Sequence, residues 1–552
     1  MRHLAAMKYQ TPGAHAMSDR RNPNPEPADW PEQRDLYTDD IQCEYVPRYS
    51  QWNILFCIGL THVLGQRPSE LRIQTSSGAV HGIYNDTATT VRGFLGIPYA
   101  EPPIDKLRFA PPRGKSPSSS PIDASSFSNP CPQTSSWSNE SILNVLPYTL
   151  WNSAAISEDC LYLNVWAPAA KHREADRKAA VMVFIHGGDF GFGGTSIAYY
   201  DGVNIVRDNK DIIVVTINYR LNVFGFPNAP GLEPSKRNLG LQDQRLAIEW
   251  IYDNISQFGG DPERIILFGQ SVGAASAAMY SYAVREFHIP SLNSLFQLEE
   301  AYLINCIQYP NNPLIKGIVM QSGTYTTGPI SRHENNWNRL SNDVGCGSAV
   351  DSMSCMLELP MSKIVDTMAT GNYTFLPTDD GLTFFTDFPA RAREGKIADL
   401  PTLAGFNEKE LAFIYPLHAS SINESEVRED SQTEFNCPIL EDLQLRLDNG
   451  IPTWRYLYQG NFPNLSPKPW LGAYHTSEIP LVFGTYNVST PYSQPATKAE
   501  IETNAWVAFA KDPRHGLSKY GWPQFSSQSQ YIFFPMLSGL FTFESSINPG
   551  LM

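Results

Sequence analysis

Apolar residues along this chain gather in short unbroken runs instead of alternating with polar ones. Val181-Met-Val-Phe-Ile185 and Ile212-Ile-Val-Val-Thr-Ile217 are rich in β-branched residues and bounded by polar or glycine residues. A strand with one wet face alternates, whereas a strand apolar on both sides must be covered on both, as in a largely parallel sheet flanked by helices. Arg264-Ile-Ile-Leu-Phe268, Lys316-Gly-Ile-Val-Met320 and Thr402-Leu-Ala-Gly405 read as further strands. Between them the period changes. Leu239 to Ile255 carries apolar residues at helical spacing behind an Asn-Leu-Gly start, and Ala274-Ala-Ser-Ala-Ala-Met279 reads as a small-residue helix. Strands that alternate with helices from about residue 70 onward predict an α/β fold, with a large, mostly parallel central sheet and helices on both faces. No internal repeat period interrupts this pattern.

Composition narrows the function. Of 552 residues, 42% are hydrophobic and 18% charged, a globular mix. With 41 basic against 56 acidic residues the formal charge is −15, which disfavours a polyphosphate partner and so nucleic-acid binding. No run of 18 or more apolar residues exists, which argues against a membrane span. The eight cysteines form no CxxC pair and no Cys/His cluster at zinc spacing, so no metal site is expected. Seven N-x-S/T sequons (Asn85, Asn139, Asn254, Asn372, Asn423, Asn464 and Asn487) lean towards a secreted glycoprotein.

Residues 1–50 are polar and Pro-rich and are expected to be a disordered extension. The following stretch, 51–66, contains Ile54-Leu-Phe-Cys-Ile-Gly-Leu60, about the length of a signal-peptide core. It reads either as a cleaved export signal behind a later true start, the favoured reading, or as a short buried or interfacial segment. The remainder, 67–552, is read as one catalytic domain.

The chemistry enters at Gly269-Gln-Ser271-Val-Gly273, between the strand 264–268 and the small-residue helix. Glycines at both ends permit a tight strand-to-helix turn that pushes a serine hydroxyl clear of the backbone. The helix start that follows points unpaired N–H groups at the same place. The bare pattern recurs by chance in chains rich in Gly and Ser, so its placement carries the weight. Upstream, His186-Gly-Gly-Asp189 directly follows the strand 181–185, where adjacent glycines would let backbone N–H groups approach a developing oxyanion. His186 itself reads as a structural hydrogen bonder.

Together with Phe94-Leu-Gly-Ile-Pro-Tyr-Ala-Glu-Pro-Pro103, Ser157-Glu-Asp-Cys-Leu-Tyr-Leu-Asn164, Asn218-Tyr-Arg220, Asn238-Leu-Gly-Leu-Gln-Asp243 and Met320-Gln-Ser-Gly323, these segments resemble the type-B carboxylesterase/lipase family. These are the relatives of the cholinesterases, and the likeness is greatest to fungal secreted members. The resemblance runs from about Gly93 to Pro523 and implies the α/β-hydrolase fold. It also implies a triad of Ser271, Glu410 (within Gly405-Phe-Asn-Glu-Lys-Glu410, in preference to Glu408) and His475 (within Gly472-Ala-Tyr-His475). The backbone of Gly188, Asp189 and Val272 would then receive the oxyanion, with Gly187 shaping the turn. The implied reaction is acyl transfer through a covalent serine intermediate, on a small-molecule or lipid ester, with no metal or organic cofactor. The oligomeric state is not legible. A lipase, a choline esterase, or a non-catalytic adhesion protein of the same fold are the competing readings.

Several positions depart from the family pattern. Asp189 replaces a glycine of many relatives, and Gln270 stands where cholinesterases carry a glutamate. Trp151 resembles their choline-stacking tryptophan, so Trp151 and Gln270 are the substrate-pocket candidates. Without the neighbouring anion a quaternary ammonium loses attraction, which favours a neutral ester. By the same resemblance, Cys131–Cys160 and Cys346–Cys355 should be disulfides, and Arg220 and Asp243 should form a structural ion pair. Ser322 is expected to hydrogen-bond near the triad acid. Residues 284–308 interrupt the family pattern and read either as a retained intron or as a true surface insertion. Cys437 lacks the C-terminal partner usual in the family, and the tail is unlike the usual one.

Overall fold

A β-branched run such as 212–217 cannot be half wet, and the chain satisfies it by burying the strand between two layers of side chains. The computed structural model describes residues 69–134, 155–173, 177–286, 306–308, 313–326, 336–348, 351–371, 373–415, 422–466, 468–486, 495–526 and 532–534. Among these, ten strands make the central sheet: β1 (Ile83–Tyr84), β2 (Val91–Pro98), β3 (Tyr162–Pro168), β4 (Ala179–Ile185), β5 (Ile212–Ile217), β6 (Gly260–Gln270), β7 (Ile318–Gln321), β8 (Thr402–Asn407), β9 (Thr453–Tyr458) and β10 (Ile532–Phe534). Their spatial order is 10-9-8-7-6-4-5-3-2-1. From β10 to β5 every neighbouring pair is parallel, and from β5 to β1 every pair is antiparallel. This is the α/β-hydrolase arrangement.

Every residue of β4 and β5 is buried. Their side chains part to opposite faces with the strand period of two. Val181, Val183, Ile213 and Val215 join one core cluster, and Met182, Phe184, Ile212 and Val214 join the other. The first cluster takes the apolar stripe of helix α1 (Leu239–Phe258) through Ala247, Ile248, Ile251 and Ile255. The same cluster takes helix α2 (Val272–Tyr280), every residue of which is buried, and Ser276 donates its hydroxyl back to the Val272 carbonyl. The opposite cluster is closed by Ala505, Trp506, Phe509 and Ala510 of the helix Pro495–Lys511.

The expected elements at 181–185, 212–217, 264–268, 316–320 and 402–405 correspond to β4 to β8, with ends shifted by up to four residues. The antiparallel strands β2 and β3 lack a clean pattern in sequence, with Gly93 and Gly96 inside β2, Asn164 inside β3, and a proline ending each. Cys131–Cys160 and Cys346–Cys355 are disulfides. Arg220 holds Asp243 with two side-chain bonds of 2.7 and 2.8 Å, and both residues are buried. The ends of the insertion pair with each other, Val284–Glu286 antiparallel to Cys306–Gln308. The residues between them lie outside the described ones, as do 1–68, Trp151, and 527–531 and 535–552 of the C-terminal tail. No helix among the described residues is long and apolar enough to cross a membrane.

Candidate active site

In a parallel sheet the loops after the strands gather at one edge, and four such loops, after β4, β6, β8 and β9, carry the candidate residues. At the end of β6 the backbone turns sharply, with Ser271 at φ 59° and ψ −127°. That conformation is costly for a residue with a side chain and persists only where the surroundings hold it. Here they do. A Cβ on Gly273 would lie 2.0 Å from the carbonyl oxygen of Ile185, so α2 packs backbone to backbone against the end of β4. Gly187 is pressed equally close, because its Cβ would meet Gln270 at 2.8 Å and Cβ of Ser271 at 3.0 Å.

The turn after β4 therefore lies directly against Ser271. Gly188, Asp189 and Phe190 all have positive φ (107°, 54° and 52°), and Gly191 and Phe192 donate back to the carbonyl of Gly188 at 2.9 and 3.0 Å. Among the described residues the amides of Gly188, Asp189 and Val272 donate to no acceptor of the protein. His186 stacks on Tyr219 with ring centroids 4.5 Å apart, and burial pushes it down to about 4, so it is neutral and structural. Asp189 reaches solvent at the edge of this turn. Burial pushes its carboxyl up to about 6, opposed by His475.

The carboxylate and the imidazole come from the loops after β8 and β9. Glu410 is fully buried, with one oxygen accepting from the Asn407 amide at 2.6 Å and the other from Nδ1 of His475 at 2.6 Å. A second bond, from the His475 amide to the Glu410 carbonyl at 3.1 Å, ties the two loops together. Glu408, two residues earlier, instead pairs with Arg428 and Gln459. Phe413 and Phe435 lie against the His475 ring, with centroids 5.6 and 5.2 Å away. Phe435 belongs to a π-helical turn, Gln432–Asn436, a feature frequent at functional sites. Thr476, next to the imidazole, holds φ 78°, a strained value for a β-branched residue.

Gln270, a pocket candidate in the sequence, is buried (2% exposed), and its Nε2 lies 3.0 Å from Nε2 of His475. Trp151 falls outside the described residues. The expected hydrogen bond of Ser322 is not made: among the described residues its buried Oγ has no partner.

Sequence reasoning missed Glu478. It is buried behind Glu410, accepting from Asn407 Nδ2 at 2.6 Å and Gln321 Nε2 at 3.2 Å, while Trp506 donates to Gln321 at 3.1 Å. Burial, reinforced by the Glu410 charge, pushes Glu478 up to about 7. Its only sequence signal is a position three residues after His475. Among the described residues no cluster of potential metal ligands occurs.

This arrangement comprises a His475–Glu410 pair, a half-buried turn serine, and three amides with no protein acceptor among the described residues. The sequence profile of the carboxylesterase family matches residues 69–287. A chlorogenic acid esterase of Aspergillus niger is 35% identical over 459 residues, covering 81% of this chain and 83% of its own. Secreted lipase 5 of Gibberella zeae is 34% identical over 507 residues, covering 85% and 90%. An acetylcholinesterase of Bungarus fasciatus is 29% identical over 546 residues, covering 87% and 85%. With its fold, its site loops and these relatives, the chain belongs to the carboxylesterase family and is a carboxylic ester hydrolase.

Proposed function

We propose that the enzyme is a secreted serine esterase whose catalytic domain, 67–552, forms an acyl-enzyme on Ser271. The observation that carries the reading is the 2.6 Å contact between Glu410 and Nδ1 of His475, delivered to the residue beside a strained serine turn. A carboxylate only accepts, so the proton of the neutral ring sits on Nδ1 and leaves Nε2 as the base. Nε2 takes the Ser271 proton as Oγ bonds to the ester carbonyl. The carbonyl oxygen becomes anionic and is received by the amides of Gly188, Asp189 and Val272. The imidazolium, steadied by Glu410, then protonates the departing alcohol. Water repeats the sequence and frees the acid and the serine.

The preferred substrate is a neutral ester, because Gln270 supplies no anion for a quaternary ammonium. The names of the relatives nominate phenolic and lipid esters, which the assay separates. Hydrolysis of p-nitrophenyl esters of graded acyl length, with chlorogenic acid alongside, is measured for wild type and Ser271→Ala. The reading requires at least about a 1,000-fold loss of kcat in the variant. Turnover undiminished by the substitution would reject it and leave the chemistry to other groups. Two disulfides and the seven sequons support an oxidising, extracellular destination.

A further inference from the structure

The turn after β4 is held from outside by a single side-chain amide. Oε1 of Gln133 accepts from the Gly193 amide at 2.9 Å, and its Nε2 donates to the Gly193 carbonyl at 2.8 Å. The same nitrogen donates to the Cys131 carbonyl at 3.0 Å. Reversing the amide would set its oxygen against two carbonyl oxygens, so the three bonds fix one orientation. Among the described residues neither backbone group of Gly193 has another hydrogen-bond partner in the protein. Gly193 has φ 116°, and a Cβ there would meet Nδ1 of His186 at 2.4 Å and the Gly187 carbonyl oxygen at 2.8 Å. The end of the turn is therefore closed onto its own start.

We propose that Gln133 is a positioning residue that fixes the turn 187–193, so that the amides of Gly188 and Asp189 meet the developing oxyanion without first reorganising. The inference rests on the serine reading above. Donors lower a barrier to the extent that they already stand where the charge develops. This turn has little of its own to keep them there. Gly188, Asp189, Phe190 and Gly193 all have positive φ. Among the described residues, backbone bonds within the turn run only to the Gly188 carbonyl.

The support that carries Gln133 is itself anchored. The Pro132 carbonyl accepts from Asn222 Nδ2 at 2.7 Å, and the Asn222 amide donates to the Phe190 carbonyl at 2.6 Å. Cys131 is bonded to Cys160, two residues before β3. One short segment, 131–133, therefore braces the turn at Phe190 and at Gly193 and is tied covalently to the approach to the sheet. Without the Gln133 amide the brace at Phe190 remains, while Gly193 loses the partner of both its N–H and its carbonyl. The turn could then shift at the end that closes on His186 and Gly187, beside the oxyanion donors.

The test compares wild type with Gln133→Met, which keeps the side-chain length and loses all three bonds, and Gln133→Glu, whose carboxylate can accept from Gly193 but donate to neither carbonyl. Turnover of a neutral p-nitrophenyl ester is measured beside inhibition by a trifluoromethyl ketone and by the alcohol made from it by reduction. Ser271 Oγ adds to the ketone carbon, its proton passes to His475, and the ketone oxygen becomes an anion that needs the turn. The alcohol undergoes no such addition and reports ground-state binding. Both variants should lose roughly 10- to 100-fold in kcat/KM. Ketone inhibition should weaken by a similar factor while alcohol inhibition holds. Q133E keeps the test intact if Q133M fails to fold. Unchanged ketone inhibition in a folded variant, or an equal loss for ketone and alcohol, assigns Gln133 a packing role and overturns the proposal. Turnover surviving in S271A would overturn the serine reading itself. An inactive S271A beside a Q133M enzyme of wild-type kcat/KM would overturn only the role of Gln133.

Discussion

Replacing Gly273 by alanine puts the nucleophile turn under a defined load. The added Cβ would stand 2.0 Å from the Ile185 carbonyl oxygen, 2.8 Å from its carbon and 2.9 Å from the His186 oxygen. Since a Cβ essentially never approaches a heavy atom closer than 3.0 Å, the helix start or the end of β4 must yield by about 1 Å. No flexible side chain is available to absorb the shift, because all three atoms belong to backbone. Overpacking of this kind costs about 1–3 kcal/mol of stability. The larger effect should be on rate. The shift separates Ser271 and the Val272 amide on one side from Gly187, Gly188 and Asp189 on the other. A displacement of about 1 Å in a reacting constellation costs on the order of 100-fold. G273A should therefore lose about 100-fold in kcat, while urea unfolding shows a loss of about 1–3 kcal/mol. Gly114→Ala is the control, because a Cβ there meets nothing within 4 Å. It should leave both measurements near wild type. A G273A enzyme with wild-type kcat would refute the claim that contact between the two turns builds the site.

Other consequences reach beyond the turn. Glu478 is pushed up to about 7, above its ordinary 4.5, so between those values the folded protein binds a proton that the unfolded chain does not. Stability from this group is therefore present at low pH and declines as pH rises to about 7. Glu478→Gln abolishes that decline, so its stability relative to wild type should grow between pH 5 and pH 8 by a few kcal/mol, measured by urea melts. A difference independent of pH would contradict it. Serine pairs in place of the disulfides should cost about 3.5 kcal/mol for Cys131–Cys160, with a separation of 29, and about 2.5 kcal/mol for Cys346–Cys355, with a separation of 9. Equal losses in calorimetry would argue against the loop-entropy account. Secreted enzyme mapped by glycopeptide mass spectrometry should carry no glycan on Asn254, whose amide nitrogen is bound to Ser76 and Trp250. Asn85 and Asn423 use only their side-chain oxygens among the described residues and should be open to modification.

Much of this molecule is legible in its sequence because some constraints are local. A run such as Ile212–Ile217 can be soluble only between two covered faces, which yields the parallel half of the sheet. Gly269 and Gly273 announce a turn that few side chains permit. Other features depend on partners far away in the chain. Choosing Glu410 over Glu408 needed the family resemblance, and its physical basis appears only when β8 and β9 lie side by side. The contact between Gln270 and His475 joins residues 205 apart and depends on a side-chain rotamer, which no pattern encodes. Glu478 looks like any loop acid until burial behind Glu410 changes its chemistry. The π-helical turn that brings Phe435 to His475 has no distinct periodicity over its five residues.

The proposed reaction passes through a covalent ester on one serine. Wild-type enzyme mixed with p-nitrophenyl acetate and quenched in acid within the first turnovers should release p-nitrophenol in a burst matching the enzyme concentration. Peptide mass mapping should then place the acetyl group on Ser271. An acetyl group on another residue, or a burst that persists in S271A, would contradict a covalent intermediate on Ser271.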